Sequence, residues 1–322
     1  MKAAEAAAWR LVPERGSLPL IRFMVRASML LGRAPSRALL RIVAAYFLLT
    51  GGSARRASRD FLTRVLGRRP TLGEAYRHFF TFATTVHDRI FLLKGRFDVL
   101  EVERHGHEIF SGPEGALLMG AHFGSFEALR AAGRNLAQRR VAMAMYEENA
   151  RKVSGVLQAI SPDAATDIIG LGRMEAMLDV RQALDEGALV GVLADRTLGD
   201  EPTIEVDFLG SPARFPTGPM RMAAVLRRRV VFMAGIHLGG NRYDVRFEPL
   251  VDFSGSAADP SQRAELVANA VRAYAARLEH HARMAPYNWF NFFDFWDLQT
   301  KAEHEGHEGH EEGTKSTKKV RE

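Results

Sequence analysis

A histidine and a glutamate lie five positions apart in the segment Gly120-Ala121-His122-Phe123-Gly124-Ser125-Phe126-Glu127. The apolar residues before this segment predict a short buried strand, and the residues from Phe126 onward begin a helical pattern. His122 is therefore expected just beyond the end of a strand, where catalytic side chains often lie. A neutral imidazole can accept the proton of a hydroxyl when a carboxylate fixes its tautomer, and Glu127 is the predicted carboxylate.

Backbone amides after His122 could supply a second element of such a site. If a helix begins here, its first amides have no partner within the helix, so Gly124 and Ser125 could donate to a developing oxyanion. The same residues are equally typical of a capped helix beside a histidine whose hydrogen bonds are satisfied inside the protein. The spacing by itself leaves both interpretations open.

Several later segments, taken together with the H-x4-E spacing, resemble the lysophospholipid acyltransferase superfamily. Within it, their order resembles the bacterial lipid A late acyltransferase branch over about residues 15–298. The resemblance implies that His122 is a general base and that Glu127 orients it. It also implies that an acyl carrier protein or coenzyme A thioester donates a fatty acyl group to a hydroxyl. The matching segments are Ala194-Asp195-Arg196-Thr197, Val206-Asp207-Phe208-Leu209-Gly210-Ser211-Pro212-Ala213, Phe215-Pro216-Thr217-Gly218-Pro219 and Trp289-Phe290.

Four further residues are candidates for substrate binding. Asp195 and Arg196 follow an apolar strand, and polar groups at the carboxyl end of a strand commonly form sites in α/β proteins. Arg196 could bind an anionic part of a substrate, although a salt bridge across the loop explains the pair nearly as well. Arg214 and Thr217 precede a helix predicted to begin near Pro219, where they could contact an anion or a carbonyl. Helix capping explains Thr217 equally well.

Short apolar runs alternate with helical stretches through most of the chain. This alternation predicts an α/β fold with a mixed, mostly parallel sheet flanked by helices, as in the glycerolipid acyltransferases that the chain resembles. We expect a basic amphipathic helical region that associates with membranes at 1–95 and an acyltransferase domain at 96–298. Residues 299–322, rich in His, Glu, Gly and Lys, are expected to be a disordered tail. The chain has no cysteine, and neither a cofactor nor a metal site is expected.

The first third of the chain is basic. Residues 1–98 contain 18 Lys and Arg against 6 Asp and Glu, so the remainder, from totals of 44 and 38, contains 26 against 32. The basic and apolar residues between Leu18 and Thr50 alternate at helical spacing, which predicts interfacial helices divided near Gly32 and Pro35. An anionic membrane surface is the expected partner, and no nucleic-acid-binding motif accompanies the charge. The competing interpretation is a set of helices packed on the domain with solvated arginines. The arginines concerned are Arg22, Arg26, Arg33, Arg37 and Arg41.

The acceptor is expected to be a lipid or glycolipid at the cytoplasmic face of the inner membrane, where the protein would be peripheral or monotopic. Glu147 and Glu148 follow a predicted strand, at a place where the lipid A enzymes carry an arginine-containing block. Two carboxylates would repel a phosphate, so a neutral hydroxyl fits better than phosphorylated lipid A. A glycerophospholipid acyltransferase and a non-catalytic lipid-binding relative stay open as alternatives.

Overall fold

The computed structural model describes residues 18–129, 139–146, 160, 168–173, 175–197, 201–255 and 260–296. The predicted tail at 299–322 lies outside these residues, as do Glu147 and Glu148. Four helices come first in the described chain: α1 (Leu18–Leu31), α2 (Arg33–Thr50), α3 (Gly52–Leu66) and α4 (Leu72–Leu93). Further helices alternate with the strands: one begins at Phe126 and is described as far as Leu129, followed by α5 (Ala176–Asp185), α6 (Gly218–Leu226) and α7 (Pro260–Met284).

Local sequence sets the limits of the first helices. Gly32 has φ +80°, a backbone conformation that favours glycine, and it separates α1 from α2 as predicted. Thr71 starts α4 with a capping box: its hydroxyl accepts from the amide of Glu74, whose carboxylate accepts from the amide of Thr71.

The strands of the described chain are β1 (Glu101–His105), β2 (Ala116–Gly120), β3 (Val141–Tyr146), β4 (Ile168–Leu171), β5 (Leu189–Leu193), β6 (Thr203–Phe208), β7 (Ser211–Pro216), β8 (Arg229–Gly239) and β9 (Arg242–Asp252). Seven of them form one sheet in the order β1-β9-β8-β2-β5-β3-β4. Neighbouring strands are parallel except for the antiparallel pair β8 and β9. The predicted mixed, mostly parallel α/β sheet is confirmed.

The strands β6 and β7 form a separate antiparallel hairpin. The apolar run at 204–208 predicts β6, whereas the segment Phe215-Pro216-Thr217-Gly218-Pro219 indicates a turn although its first two residues belong to β7. Pro212 and Pro216 account for the error, because proline is normally rare within strands and is tolerated at their edges. Leu209 and Gly210 connect the two strands, and both have positive φ, as the tightest hairpin turns require.

The central sheet is buried on both faces, as parallel sheets are when helices cover them on both sides. Leu117 and Met119 of β2 enter one hydrophobic cluster, whereas Ala116 and Leu118 enter another. Phe61 of α3 belongs to the same cluster as Leu117. The α3 part of the region 1–95 therefore packs in the core of the sheet.

The helix α2 packs through a narrow stripe and exposes apolar residues on the opposite side. The buried stripe consists of Ser36, Leu40, Ala44 and Leu48. Opposite it, Leu39, Ile42, Tyr46 and Leu49 are 61%, 68%, 54% and 69% exposed; we call these four residues the outer face of α2. No described helix combines the length and the apolar composition needed to cross a membrane.

The arginines of α2 do not share one environment. Arg33 binds Asp88 of α4 through two nitrogens, each 2.7 Å from a carboxylate oxygen. The guanidinium of Arg37 lies 5.3 Å from the ring centroid of Phe80, whereas Arg41 is exposed. The interpretation with uniformly solvated arginines therefore does not describe Arg33.

Candidate active site

His122 and Asp195 lie side by side at the carboxyl edge of the sheet. The strands β2 and β5 are parallel neighbours, and Gly120 pairs in register with Leu193. His122 and Asp195 each follow these paired strand ends by two residues, so their side chains start from adjacent points of the same edge. The sequence predicted both residues at strand exits, and the pairing of β2 with β5 brings them together.

Asp195 holds the imidazole of His122 through Nδ1. Its Oδ1 lies 2.9 Å from Nδ1, and its Oδ2 accepts from the backbone amide of His122 at 3.0 Å. The indole N–H of Trp289 donates to Oδ2, also at 3.0 Å. Because an ionised carboxylate only accepts, we assign the proton of the neutral ring to Nδ1, which leaves a lone pair on Nε2. No described residue forms a hydrogen bond with Nε2, and 35% of the side chain is exposed. This nitrogen is therefore open to a substrate.

The local charges favour an ionised Asp195 and a neutral His122. Burial by itself would raise the pKa of Asp195, but His122, Arg196 and the indole of Trp289 together hold that pKa well below its ordinary value. Burial and then the positive charge of Arg196 lower the pKa of His122, while Asp195 acts in the opposite direction. A neutral imidazole is the state that a general base needs.

The backbone amides predicted to receive an oxyanion are already occupied. The amide of Gly124 donates to the carbonyl of Asn288, and the amide of Ser125 donates to the carbonyl of Gly235, both at 2.8 Å. Gly124 has φ +67°, and a Cβ there would collide with the carbonyl of Gly235. The prediction that these two amides are free is wrong, because they bind the loop to β8 and to the segment that follows α7. Ser125 instead caps the helix, since its hydroxyl accepts from the amide of Ala128 at 3.1 Å.

Glu127 faces a different partner from the one predicted. Its Oε1 lies 2.8 Å from Nε of Arg89 in α4, and its side chain is 6% exposed. At Nδ1 of His122 the acceptor is Asp195, so the predicted pairing of His122 with Glu127 through this nitrogen is not found. The reason is geometric: His122 precedes the helix and turns toward the end of β5, whereas Glu127 lies in the first helical turn and faces α4.

Arg196 supports the segment that follows α7. Its Nη2 donates to the carbonyl of Phe290 at 3.1 Å, and its guanidinium lies 4.9 Å from the ring centroid of Phe293. Phe290 in turn donates its amide to the carbonyl of His122 at 2.8 Å. The aromatic residues Trp289, Phe295 and Trp296 pack in the core.

The turn before α6 is closed by its own backbone. Thr217 donates both its amide and its hydroxyl to the carbonyl of Pro202, at 2.9 and 3.0 Å. These donors are therefore engaged, and the predicted anion contact by Thr217 has no support in the geometry. Arg214 lies on β7, opposite Glu205 in the hairpin register.

His78 and Ser58 support the site through hydrogen bonds, and the sequence did not indicate them. His78 of α4 is fully buried, and its Nε2 donates to the carbonyl of Trp289 at 2.8 Å. Its Nδ1 then accepts from the hydroxyl of Ser58 at 2.8 Å. Burial lowers the pKa of His78 to about 4, so the ring is neutral. Polar residues at otherwise buried positions of α3 and α4 are the signal that could have indicated them.

Among the cavities of the described chain are two of about 300 and 450 Å³. Neither is lined by His122 or Asp195. The first is bordered by residues such as Arg140, Arg173 and Glu186, and the second by residues such as His105, Glu248 and Arg277.

Comparisons with known proteins identify the family. A sequence model described as bacterial lipid A biosynthesis acyltransferase matches residues 72–297, a span that includes His122, Asp195 and Trp289. Among solved structures, the chain is similar to the 1-acyl-sn-glycerophosphate (LPA) acyltransferase PlsC from Thermotoga maritima. The identity is 16%, the match covers 77% of this chain and 98% of that chain, and the TM-score is 0.38. No curated protein matches the chain. Because the family match spans well over half of its length, this chain belongs to the bacterial lipid A biosynthesis acyltransferase family and is an acyltransferase of lipid biosynthesis.

Proposed function

We propose that this acyltransferase moves a fatty acyl group from a thioester to a hydroxyl of a lipid or glycolipid, with His122 as general base. Asp195 takes the orienting role that the sequence assigned to Glu127. The observation that carries the proposal is the carboxylate at 2.9 Å from Nδ1 combined with an open Nε2. A base held in this way accepts a proton at Nε2 while Asp195 stabilises the imidazolium that forms.

In the proposed reaction the acceptor hydroxyl gives its proton to Nε2 of His122 as its oxygen attacks the thioester carbonyl. The tetrahedral intermediate then collapses, the C–S bond breaks, and the imidazolium returns the proton to the thiolate. No acyl-enzyme is formed. The donor is an acyl carrier protein or coenzyme A thioester, and the basic first third of the chain suits an acidic carrier protein.

Exposed apolar side chains next to His122 offer a path for the acyl chain. Phe82 and Val86 of α4 are 40% and 44% exposed, and the ring centroids of Phe82 and Phe290 lie 5.2 Å apart. Phe290 also bonds to the carbonyl of His122, so this apolar surface begins beside the base. Each methylene group that it covers would contribute about 0.8 kcal/mol, so the extent of the surface would select the chain length.

The outer face of α2 suits contact with a lipid bilayer. Its four apolar side chains are exposed, and Arg41 lies exposed on the neighbouring side of the same helix. A helix of this kind lies in the plane of the interface, and each nearby arginine adds roughly 1 kcal/mol of attraction to anionic headgroups. We place the enzyme at the cytoplasmic face of the inner membrane, where its lipid acceptor would be within reach.

The proposal can be tested by following an acyl label. The purified full-length protein is incubated with radiolabelled palmitoyl-CoA or palmitoyl-acyl carrier protein and extracted bacterial membrane lipids, and the labelled product is identified by mass spectrometry. We expect label on a lipid or glycolipid hydroxyl. A labelled glycerophospholipid as the product would instead indicate the glycerophospholipid alternative.

The variant His122→Ala tests the role of the base. Its turnover should fall by about two to four decades with an unchanged circular dichroism spectrum. The matched control is His105→Ala, because His105 lies on the edge strand β1 with 57% of its side chain exposed. Full turnover by His122→Ala would exclude the proposed mechanism, and no turnover by the wild-type protein with any donor would favour the non-catalytic alternative.

A further inference from the structure

We infer that Arg89 is a further catalytic residue that binds the oxyanion of the tetrahedral intermediate, and that Glu127 positions it. The inference rests on the acyl transfer proposed above. It assigns the glutamate of the H-x4-E segment to the oxyanion side of the site, whereas Asp195 serves the imidazole.

The ion pair of Arg89 with Glu127 fixes the cation at the edge of the site. The two charged groups approach to 2.8 Å between Nε and Oε1, with 6% of the glutamate side chain and 32% of the arginine side chain exposed. A buried carboxylate is strongly unfavourable without a cation beside it, so Glu127 holds the guanidinium in place. The contact is an ion pair: within the described part of the chain Arg89 Nε is buried without a hydrogen-bond partner of good geometry, and no Nη group of Arg89 is engaged, so these groups are available to a substrate.

Because the amides of Gly124 and Ser125 are occupied, we assign the oxyanion to a side-chain cation. An attack on a thioester carbonyl develops negative charge on oxygen, and a site for this reaction needs donors aimed at that oxygen. The amides of Gly124 and Ser125 are engaged with backbone carbonyls. Arg196 is engaged with the carbonyl of Phe290 and lies over an aromatic ring. Of these candidates, Arg89 is the one whose terminal donors are unengaged.

Glu127 lies in the first turn of the helix that follows His122, so its ion pair brings Arg89 to the loop that carries the base. Burial first, then the positive charges of Arg196 and Arg89, lower the pKa of His122, and Asp195 opposes them. The charge of Arg89 thus acts on the imidazole without a direct bond to it. Its own counter-ion, Glu127, lies on the buried side of the pair.

The helix α4 also aligns Arg89 with the proposed acyl path. Phe82, Val86 and Arg89 are spaced four and three residues apart, so they lie on one face of the helix, over a rise of about 10 Å. Phe82 and Val86 are the exposed apolar residues of this face. An acyl chain lying along them would bring its carbonyl end toward Arg89.

In the proposed acyl transfer, Arg89 receives the negative charge on the carbonyl oxygen and His122 carries the proton. As the acceptor oxygen bonds to the carbonyl carbon, the π electron pair of C=O moves to the oxygen, to which an Nη–H of Arg89 donates. The acceptor proton moves to Nε2 of His122. When C=O forms again, the C–S bond breaks, and the proton passes from His122 to the departing sulfur.

Four variants test the inference in the full-length protein, with palmitoyl-CoA or palmitoyl-acyl carrier protein and extracted membrane lipids. Arg89→Met should lower kcat by about two to three decades with little change in KM, and Arg89→Lys should restore part of the loss. Glu127→Gln should lower kcat less than Arg89→Met does. The double variant Arg89→Met/Glu127→Gln should match Arg89→Met alone, because Glu127 acts through Arg89. Where Arg89→Met fails to fold because its carboxylate partner is left buried, the double variant decides, since it removes both charges.

Arg77→Met is the matched control, since Arg77 lies on the same helix, exposed, with its guanidinium 4.5 Å from the ring centroid of Tyr287. It should keep wild-type kcat. An unchanged kcat in Arg89→Met, or a rise in KM alone, would overturn the inference. Loss of the His122 ionisation from the pH profile of kcat/KM in Glu127→Gln would also overturn it, because Glu127 would then serve the imidazole. Retained turnover in His122→Ala would instead overturn the proposed function.

Discussion

The dyad site, formed by His122, Asp195 and Trp289, contrasts with the outer face of α2. In the dyad site the carboxylate of Asp195 is 1% exposed and accepts three hydrogen bonds. These hydrogen bonds compensate for its burial. On the outer face of α2, four large apolar side chains are more than half exposed. The first region hides polar groups inside the protein, and the second presents apolar groups outside it.

The two regions differ in why they need their residue types: the dyad site needs them for folding, and the outer face of α2 does not. The dyad site needs its residue types because each buried polar group must find a partner. The helix α2 is fixed through its buried stripe, and polar residues on its outer face would leave that packing unchanged. We therefore assign the apolar outer face to the proposed membrane contact.

Breaking the dyad should give the largest effect. We expect Asp195→Asn to lower kcat by about three to four decades, because an amide no longer fixes the proton on Nδ1 or stabilises the imidazolium. The matched control is Glu248→Gln, since Glu248 accepts from His281 at 2.9 Å in a second histidine–carboxylate pair. Initial rates should change only a few-fold in the control. Comparable losses in both variants would contradict the special role of the dyad.

Polar substitutions on the outer face of α2 should weaken membrane binding and leave the dyad intact. Ile42→Asn combined with Leu49→Asn should reduce binding to vesicles containing phosphatidylglycerol by about thirty- to a hundredfold, or about 2–3 kcal/mol. Sedimentation with vesicles measures this directly. The control combines Leu178→Asn with Val225→Asn, which are 64% and 61% exposed on α5 and α6. Equal losses in both double variants would mean that the outer face is not the contact.

A milder change to the dyad site is Trp289→Phe, which removes one donor to Asp195 and keeps most of the aromatic packing. We expect kcat to fall about tenfold and the free energy of unfolding to fall by about 1–3 kcal/mol. Trp296→Phe is the control, because the indole nitrogen of Trp296 is buried without a hydrogen-bond partner in the described chain. Rate measurements and chemical denaturation should show a smaller loss in the control. A larger loss for Trp296→Phe would contradict this account.

The smallest expected effect is a shift in the pH profile. Because burial and Arg196 lower the pKa of His122 below 6.5, activity should persist below pH 6.5 and disappear as falling pH protonates the base. Arg196→Gln removes a positive charge, so the acid limb of kcat/KM should move to higher pH. A movement to lower pH would show that Arg196 acts on His122 by another route.

The sequence allowed His122, the strand ends and most helices to be located, because apolar periodicity and turn residues are local properties. The division between two helices at Gly32 is confirmed. The partner of His122 could not be found in the same way. Glu127 is five positions away, whereas Asp195 is 73 positions away and reaches His122 through the register of two strands.

The sequence by itself determined which elements form, which chemical groups stand at the ends of strands and which helices carry both arginines and apolar residues. Only the tertiary structure decided which carboxylate pairs with which basic side chain: Asp195 with the imidazole of His122, Glu127 with the guanidinium of Arg89 and Asp88 with that of Arg33. The physical reason is the separation along the chain of the residues that interact. Helix and strand patterns depend on near neighbours in the chain, but a hydrogen bond requires two groups within about 3 Å, which only the packing of distant segments can arrange.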